Sequence, residues 1–174
     1  MPIDLSKTLV VGISATALFD LSKPYAFFRK AYDEDPETAI KEYRRYTQEH
    51  EEEDLENGTG LPLVKALLNL NELKNKDEHP LVEAVVMSRN SPETGYRVLK
   101  EIRKRGLNIT RSAFTAGEPT ADYLEAFFVD LFLTTNEKDA QRVIDSQVCA
   151  AALVKEPPAS STRLDENQVR FAFD

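Results

Sequence analysis

The sequence predicts an α/β fold, a Rossmann-like parallel sheet with helices on both faces. Short apolar runs recur along it with little polar alternation: "TLVVGIS" (8–14), "LVEAVVMS" (81–88), "LNITRSAF" (107–114), "VDLFLT" (129–134) and "VCAAALV" (148–154). Runs of that kind suit strands buried on both faces. Helical patterns separate them, at the spacing that crossover connections between parallel strands require. With 174 residues, 41% of them hydrophobic, the chain can enclose one ordinary core, so a single domain over residues 1–174 is expected.

The elements follow in order. After the first strand, "ATALFDL" leads into an aromatic-rich stretch and then into "EYRRYTQEHEEEDLE", whose mixed charges at helical spacing predict a solvated helix or a cap element. Residues 22–60 are therefore read as an acidic cap or surface insertion. His50 lies within it, but successive helical residues point in different directions, which favours exposed charge over a metal site. "NGTGLP" (57–62) is a turn, and Pro62 opens a helix carrying Leu63, Val64, Leu67, Leu68 and Leu73 at core spacing.

The strand at 81–88 hands over to "RNSPETGYRVLKEIRKRG". Ser91 suits the N-cap, Pro92 the first helical position, Glu93 the positive end of the helix dipole and Gly106 the carboxyl end. "EPTADYLEAFF" and "NEKDAQRVIDSQ" are the next two helices. "KEPPASSTRLDENQ" then breaks the rhythm as a loop or linker before "VRFAF" (169–173) resumes a strand ending on Asp174.

Composition narrows the partners. Thirty acidic against twenty-two basic residues give a formal charge of -8, which repels nucleic acid and anionic membranes. No apolar run approaches a membrane span, and "MPIDLSKTL" lacks the pattern of a signal peptide, so the cytoplasm is expected. Cys149, the single cysteine, reads as a small buried hydrophobe.

In open α/β sheets, ligands bind beyond the carboxyl ends of the strands. Four places qualify: Ser14 to Thr16, Ser88 to Asn90, Thr134 to Asn136 with Asp139 one turn on, and Asp174. Ser88 can hold a phosphate oxygen beside backbone N–H groups, or with Ser91 it can merely cap backbone. Asn136 and Asp139 fit a reciprocal capping pair, and Asp139 equally fits a magnesium site once a second carboxylate converges on it. Asp174 is either that carboxylate or a solvated terminal residue.

Taken together, "LSKTLVVGISATALFDL", "EYRRYTQEHEEEDLENGTGLPLVKALLNLN", "VVMSRNSPETGYRVLKEI", "LNITRSAFTAGEPTADYLEAF", "VDLFLTTNEKDAQRVI" and "VRFAFD" resemble the cytosolic type I 5′-nucleotidases, members of the haloacid dehalogenase-like phosphohydrolase superfamily. The resemblance implies a haloacid dehalogenase-like domain with Asp174 as the nucleophile, first of an Asp, any residue, Asp pair whose second member lies past this sequence. The chain is thus expected to be the amino-terminal part of a longer protein. Ser88 and Asn90 become phosphate-binding residues, and Asp174 with Asp139 the ligands of Mg2+.

The sequence departs from the pattern in three places. Glu118 stands where a lysine is common, and Glu125 offers no replacement, which leaves Arg89, Arg111 or the region past this sequence to supply the electropositive partner. Thr135 occupies a position often acidic. In the first strand Ile13 and Ala15 stand where two carboxylates would be needed, which makes that strand structural, with phosphate contact left open to Ser14 and Thr16.

The resemblance implies a magnesium-dependent 5′-nucleotidase that hydrolyses nucleoside 5′-monophosphates through an aspartyl-phosphate intermediate, with residues 1–174 alone nearly inactive. The alternative is a non-catalytic module of the same fold that binds phosphate, nucleotide or another subunit, homo-oligomers included.

Overall fold

The computed structural model describes residues 4–75 and 79–155. A five-stranded sheet runs through its centre in the order β5-β4-β1-β6-β7, every neighbouring pair parallel. The strands are β1 (Leu9–Ile13), β4 (Val82–Ser88), β5 (Arg111–Phe114), β6 (Leu131–Thr134) and β7 (Ala150–Leu153). Two short strands, β2 (Phe19–Asp20) and β3 (Glu56–Asn57), pair antiparallel as a separate ribbon. The helices are α1 (Ala15–Leu18), α2 (Ser22–Glu34), α3 (Pro36–Glu49), α4 (Leu61–Asn69), α5 (Pro92–Lys104), α6 (Ala121–Leu124) and α7 (Glu137–Ser146).

The continuous apolar runs have the predicted cause. Because successive strand residues face opposite sides, Val11 and Ile13 of β1 with Val82, Ala84 and Val86 of β4 enter one core, against Leu61, Val64 and Leu67 of α4 and Val98 and Ile102 of α5. Val10, Val85 and Met87 enter the other, with Phe132, Ala121 and Leu124 of α6 and Val143 of α7. Helices therefore cover both faces, and the chain is α/β as its sequence predicts.

Two predicted elements are shorter than their sequence pattern. Of residues 107–114 only Arg111–Phe114 pair as a strand, because Gly106, at φ 63, closes α5 in the left-handed conformation and Leu107 N–H turns back to Ile102 O. Of residues 118–128 only Ala121–Leu124 are α-helical, followed by a 3-10 turn, Glu125–Phe127, that ends on Phe128 at φ 58.

The acidic segment is an ordered helical hairpin. α2 and α3 leave from β2 and return to β3, and their shared interface is aromatic: Phe27 stacks on Tyr46 at 4.2 Å, Tyr46 on His50 at 4.0 Å, and Phe28 meets Tyr43 edge-on at 5.2 Å. His50 accordingly packs as an aromatic ring, with Nδ1 2.8 Å from Tyr46 O. The hairpin is fastened to α5: Tyr43 shares a hydrogen bond of 2.6 Å with Thr94, and Arg44 pairs with Glu93 at 2.9 Å. The acidic run behind it lies along the basic end of α5, where Lys100 meets Glu52, Lys104 meets Asp54, and Arg105 reaches Asn57 and the Leu55 carbonyl.

Candidate functional site

All five strands are parallel, so their carboxyl ends share one edge, and the described residues that sequence reasoning singled out gather there. β4 ends on Ser88, which is almost fully buried; its Oγ accepts the Asn90 N–H at 3.4 Å, and Ser91 caps α5 through Thr94 N–H at 3.5 Å. The capping role of both serines is thus present. The β5–α6 loop folds over this turn: Thr115, Ala116 and Gly117 N–H donate to the carbonyls of Ser88, Asn90 and Arg89 at 2.9, 3.1 and 2.8 Å. Ala116, at φ 50, and Gly117, at φ 105, accept positive φ to make that wrap.

At the end of the central strand β1, Ile13 and Ala15 are fully buried core residues. β1 ends at Ile13, Ser14 is a buried cap at the start of α1, and Thr16, within α1, is exposed. Ser14 Oγ accepts the Ala17 N–H as the cap of α1 and lies 3.2 Å from Thr16 Oγ1, which is 2.9 Å from Thr135 Oγ1 at the end of β6. Hydroxyls, with no carboxylate among them, line the end of β1.

Beyond β6, Asn136 Oδ1 accepts the N–H groups of Lys138 and Asp139 at 2.9 and 3.1 Å and so caps α7. The reciprocal half of the expected capping pair does not form, since Asn136 N–H donates to Thr134 Oγ1 at 3.1 Å. Asp139 instead takes a bond from Arg89: Nη1 lies 3.3 Å from Oδ1, while Arg89 Nε donates to Gly117 O at 3.0 Å. One guanidinium thereby ties together the loops after β4, β5 and β6.

Arg111, the other cation considered, is committed elsewhere. Its Nε and Nη2 bond both oxygens of Glu83 at 2.6 and 2.9 Å, and its Nη1 donates to Phe127 O at 3.0 Å. It also opens β5, three residues and about 10 Å before the ligand-facing edge. Glu118 is exposed in the β5–α6 loop, where its carbonyl accepts the Thr115 hydroxyl.

An open cleft of about 530 Å3 lies between the β1–β6–β7 end and the β2–β3 ribbon. Its wall includes Thr16, Asp20, Asn57, Thr59, Thr135 and Lys155. Thr59 Oγ1 is buried there without a hydrogen-bond partner among the described residues. The Asp20 carboxyl is held below its ordinary range by hydrogen bonds from Ser22, first from its side chain and then from its backbone N–H. Sequence reasoning missed Asp20, Thr59 and Lys155, because the cleft forms only where the ribbon is folded back beside the sheet. The "NGTG" turn was the single local signal near it.

Asp174 and the 169–173 run lie outside the described residues. Among the described strands, β4 has β1 and β5 as neighbours and β6 has β1 and β7. Among the described residues no three His, Cys, Asp or Glu side chains gather where a metal ion could be held, and Asp139 is already paired with Arg89. The described donors by themselves do not fit magnesium.

This is a parallel α/β domain with a polar, hydroxyl-rich carboxyl edge. The 5′-nucleotidase family model matches residues 1–174, and the chain belongs to that family. It is 27% identical over 169 residues to human cytosolic 5′-nucleotidase 1B, an alignment covering 95% of this chain and 26% of that protein. The chain thus spans about a quarter of the length of this curated relative. Among solved structures, the HAD domain of the Legionella pneumophila effector Lem4 and its inactive mutant are similar at a TM-score of 0.45 and 17% identity, with 88% of each chain covered. No helix among the described residues is long and apolar enough to cross a membrane.

Proposed function

We propose that the protein serves the hydrolysis of nucleoside 5′-monophosphates to nucleoside and phosphate in the cytosol, with Asp174 as the nucleophile and the carboxyl edge of the described sheet as a phosphate- and nucleotide-binding surface. The family match across the whole chain carries this reading. In it, the Asp174 carboxylate attacks phosphorus as the bond to the 5′-oxygen breaks, and water then cleaves the aspartyl phosphate. A second carboxylate two residues on protonates the leaving oxygen and activates that water. The magnesium requirement belongs to this carboxylate pair, since a hard cation needs oxygen donors that the described edge does not assemble.

A specific observation favours a second reading for residues 1–174 on their own: a non-catalytic binding module. The hydroxyls of Ser14, Thr16 and Thr135, which follow β1 and β6, are joined in a chain, and among the described residues no carboxylate or imidazole is hydrogen-bonded to it.

Phosphate release from nucleoside 5′-monophosphates tests both. A polypeptide continued through Asp, any residue, Asp should turn over with magnesium and stop in excess chelator, while residues 1–174 should be slower by about two to four orders of magnitude. Equal rates from the two, or full activity of the Asp174→Asn variant of the longer one, would refute the assignment of Asp174.

A further inference from the structure

We propose that Arg89 is the oxyanion-binding cation of the sheet edge and that Asp139 is its internal competitor, a carboxylate that holds the guanidinium until a phosphate displaces it. The proposal deepens the nucleotidase reading and rests on it for the choice of phosphate as ligand. It gives Asp139 a role opposite in sign to metal ligation, and it gives Arg89 the electrostatic task that the sequence leaves without a lysine.

Two arginine–carboxylate pairs, Arg111–Glu83 and Arg89–Asp139, differ in a way that supports this. Arg111 and Glu83 form a bidentate pair at 2.6 and 2.9 Å with both side chains largely buried, as a fixed structural brace should. Arg89 and Asp139 meet through one bond of 3.3 Å, and the Arg89 side chain is 45% exposed. Arginine has five N–H donors in a planar fork that matches phosphate geometry. The bonds described here engage one at Nε and one at Nη1. The Nε bond to Gly117 O pins the base of the fork, so its outer nitrogens are oriented without being filled.

The surroundings make the exchange inexpensive on both sides. Arg89 directly follows the Ser88 hydroxyl and precedes the amino terminus of α5, whose dipole favours an anion. Asp139, once released, stays in the first turn of α7, where the dipole and the Asn136-capped backbone suit a negative charge. A phosphate offers several oxygens to the guanidinium where Asp139 offers one.

The test is calorimetric titration of residues 1–174 with inorganic phosphate and, separately, with a nucleoside 5′-monophosphate, in chelator so that metal plays no part. Asp139→Asn, which keeps the shape and removes the competing charge, should tighten phosphate binding by roughly 2- to 5-fold, the scale of one lost partly exposed ion pair. Arg89→Gln should weaken it by about ten-fold or more, and Arg89→Lys should fall between, because it keeps charge but loses the fork. Circular dichroism of each variant separates lost binding from lost fold, and Asp139→Asn alone decides the sign if Arg89→Gln does not fold. Weaker or unchanged binding by Asp139→Asn, or no phosphate binding by either wild type or that variant, overturns the proposal. Hydrolysis by the longer polypeptide is a separate readout: if it persists while Asp139→Asn fails to tighten binding, only this inference falls, and if it is absent while the predicted shifts appear, only the nucleotidase reading falls.

Discussion

Replacing Gly58 by alanine should destabilise the domain by about 2 kcal/mol, although its backbone φ is not positive and a local turn rule would allow any residue there. The reason is a close approach. A Cβ built on Gly58 would lie 2.4 Å from Ala17 O, 2.6 Å from Leu18 C and 2.6 Å from Phe19 N, where ordinary contact begins at 3.4 Å. All three neighbours are backbone, and Gly58 N–H is bonded to Leu18 O at 3.0 Å, so no side chain can swing aside. Overpacking of this kind costs about 1–3 kcal/mol, and the upper end applies where the chain itself must shift by about 1 Å. Against it stands a gain of roughly 0.4–1 kcal/mol from the stiffer unfolded chain. For a chain of this size a net cost near 2 kcal/mol lowers the midpoint of thermal unfolding by about 4–8 °C. Urea denaturation followed by circular dichroism measures it, with Gly106→Ala as comparison: Gly106 has φ 63 and open space around its Cβ, so only backbone strain of about 1 kcal/mol is expected. Gly58→Ala as stable as wild type, or less damaging than Gly106→Ala, would refute the close-approach argument.

The strap of acidic residues on α5 should divide by burial. Lys104→Ala, which removes an exposed pair with Asp54, is expected to cost under about 1 kcal/mol and to lose its effect in molar salt. Arg105→Ala should cost about 2 kcal/mol at any salt, because it also unties Asn57 and the Leu55 carbonyl and uncovers the face of Phe19; similar salt sensitivity in both variants would contradict this. Glu93 is held below its ordinary value of 4.5 chiefly by its own backbone N–H at the start of α5, then by Ser91 and Arg44. The unfolded chain therefore binds that proton first, so the stabilisation is full above 4.5 and is lost as pH falls through the lower folded value. Acid titration of urea midpoints should show a shallower decline for Glu93→Gln than for wild type, and parallel curves would remove Glu93 from the acid limb.

The sequence determined what depends on neighbours along the chain. Continuous apolar runs marked the buried strands, because a strand covered on both faces has no polar side to alternate. Ser91, Pro92 and Gly106 marked the ends of α5, because caps are local hydrogen bonds and a local backbone conformation. Placing Ser88 and Asp139 at one edge followed from the parallel α/β class alone. Tertiary structure decided the rest. Only the strand order shows that β1 fills the place between β4 and β6. Only the fold shows that Thr16 is exposed while Ile13, Ser14 and Ala15 are buried, since the chain leaves the strand after Ile13 and turns into α1. The fate of charges was equally hidden from sequence: Arg111 and Glu83 are 28 residues apart, Arg89 and Asp139 50 apart. An arginine's partner is chosen by whichever oxygens the packed elements bring within about 3 Å, and no local pattern encodes that meeting.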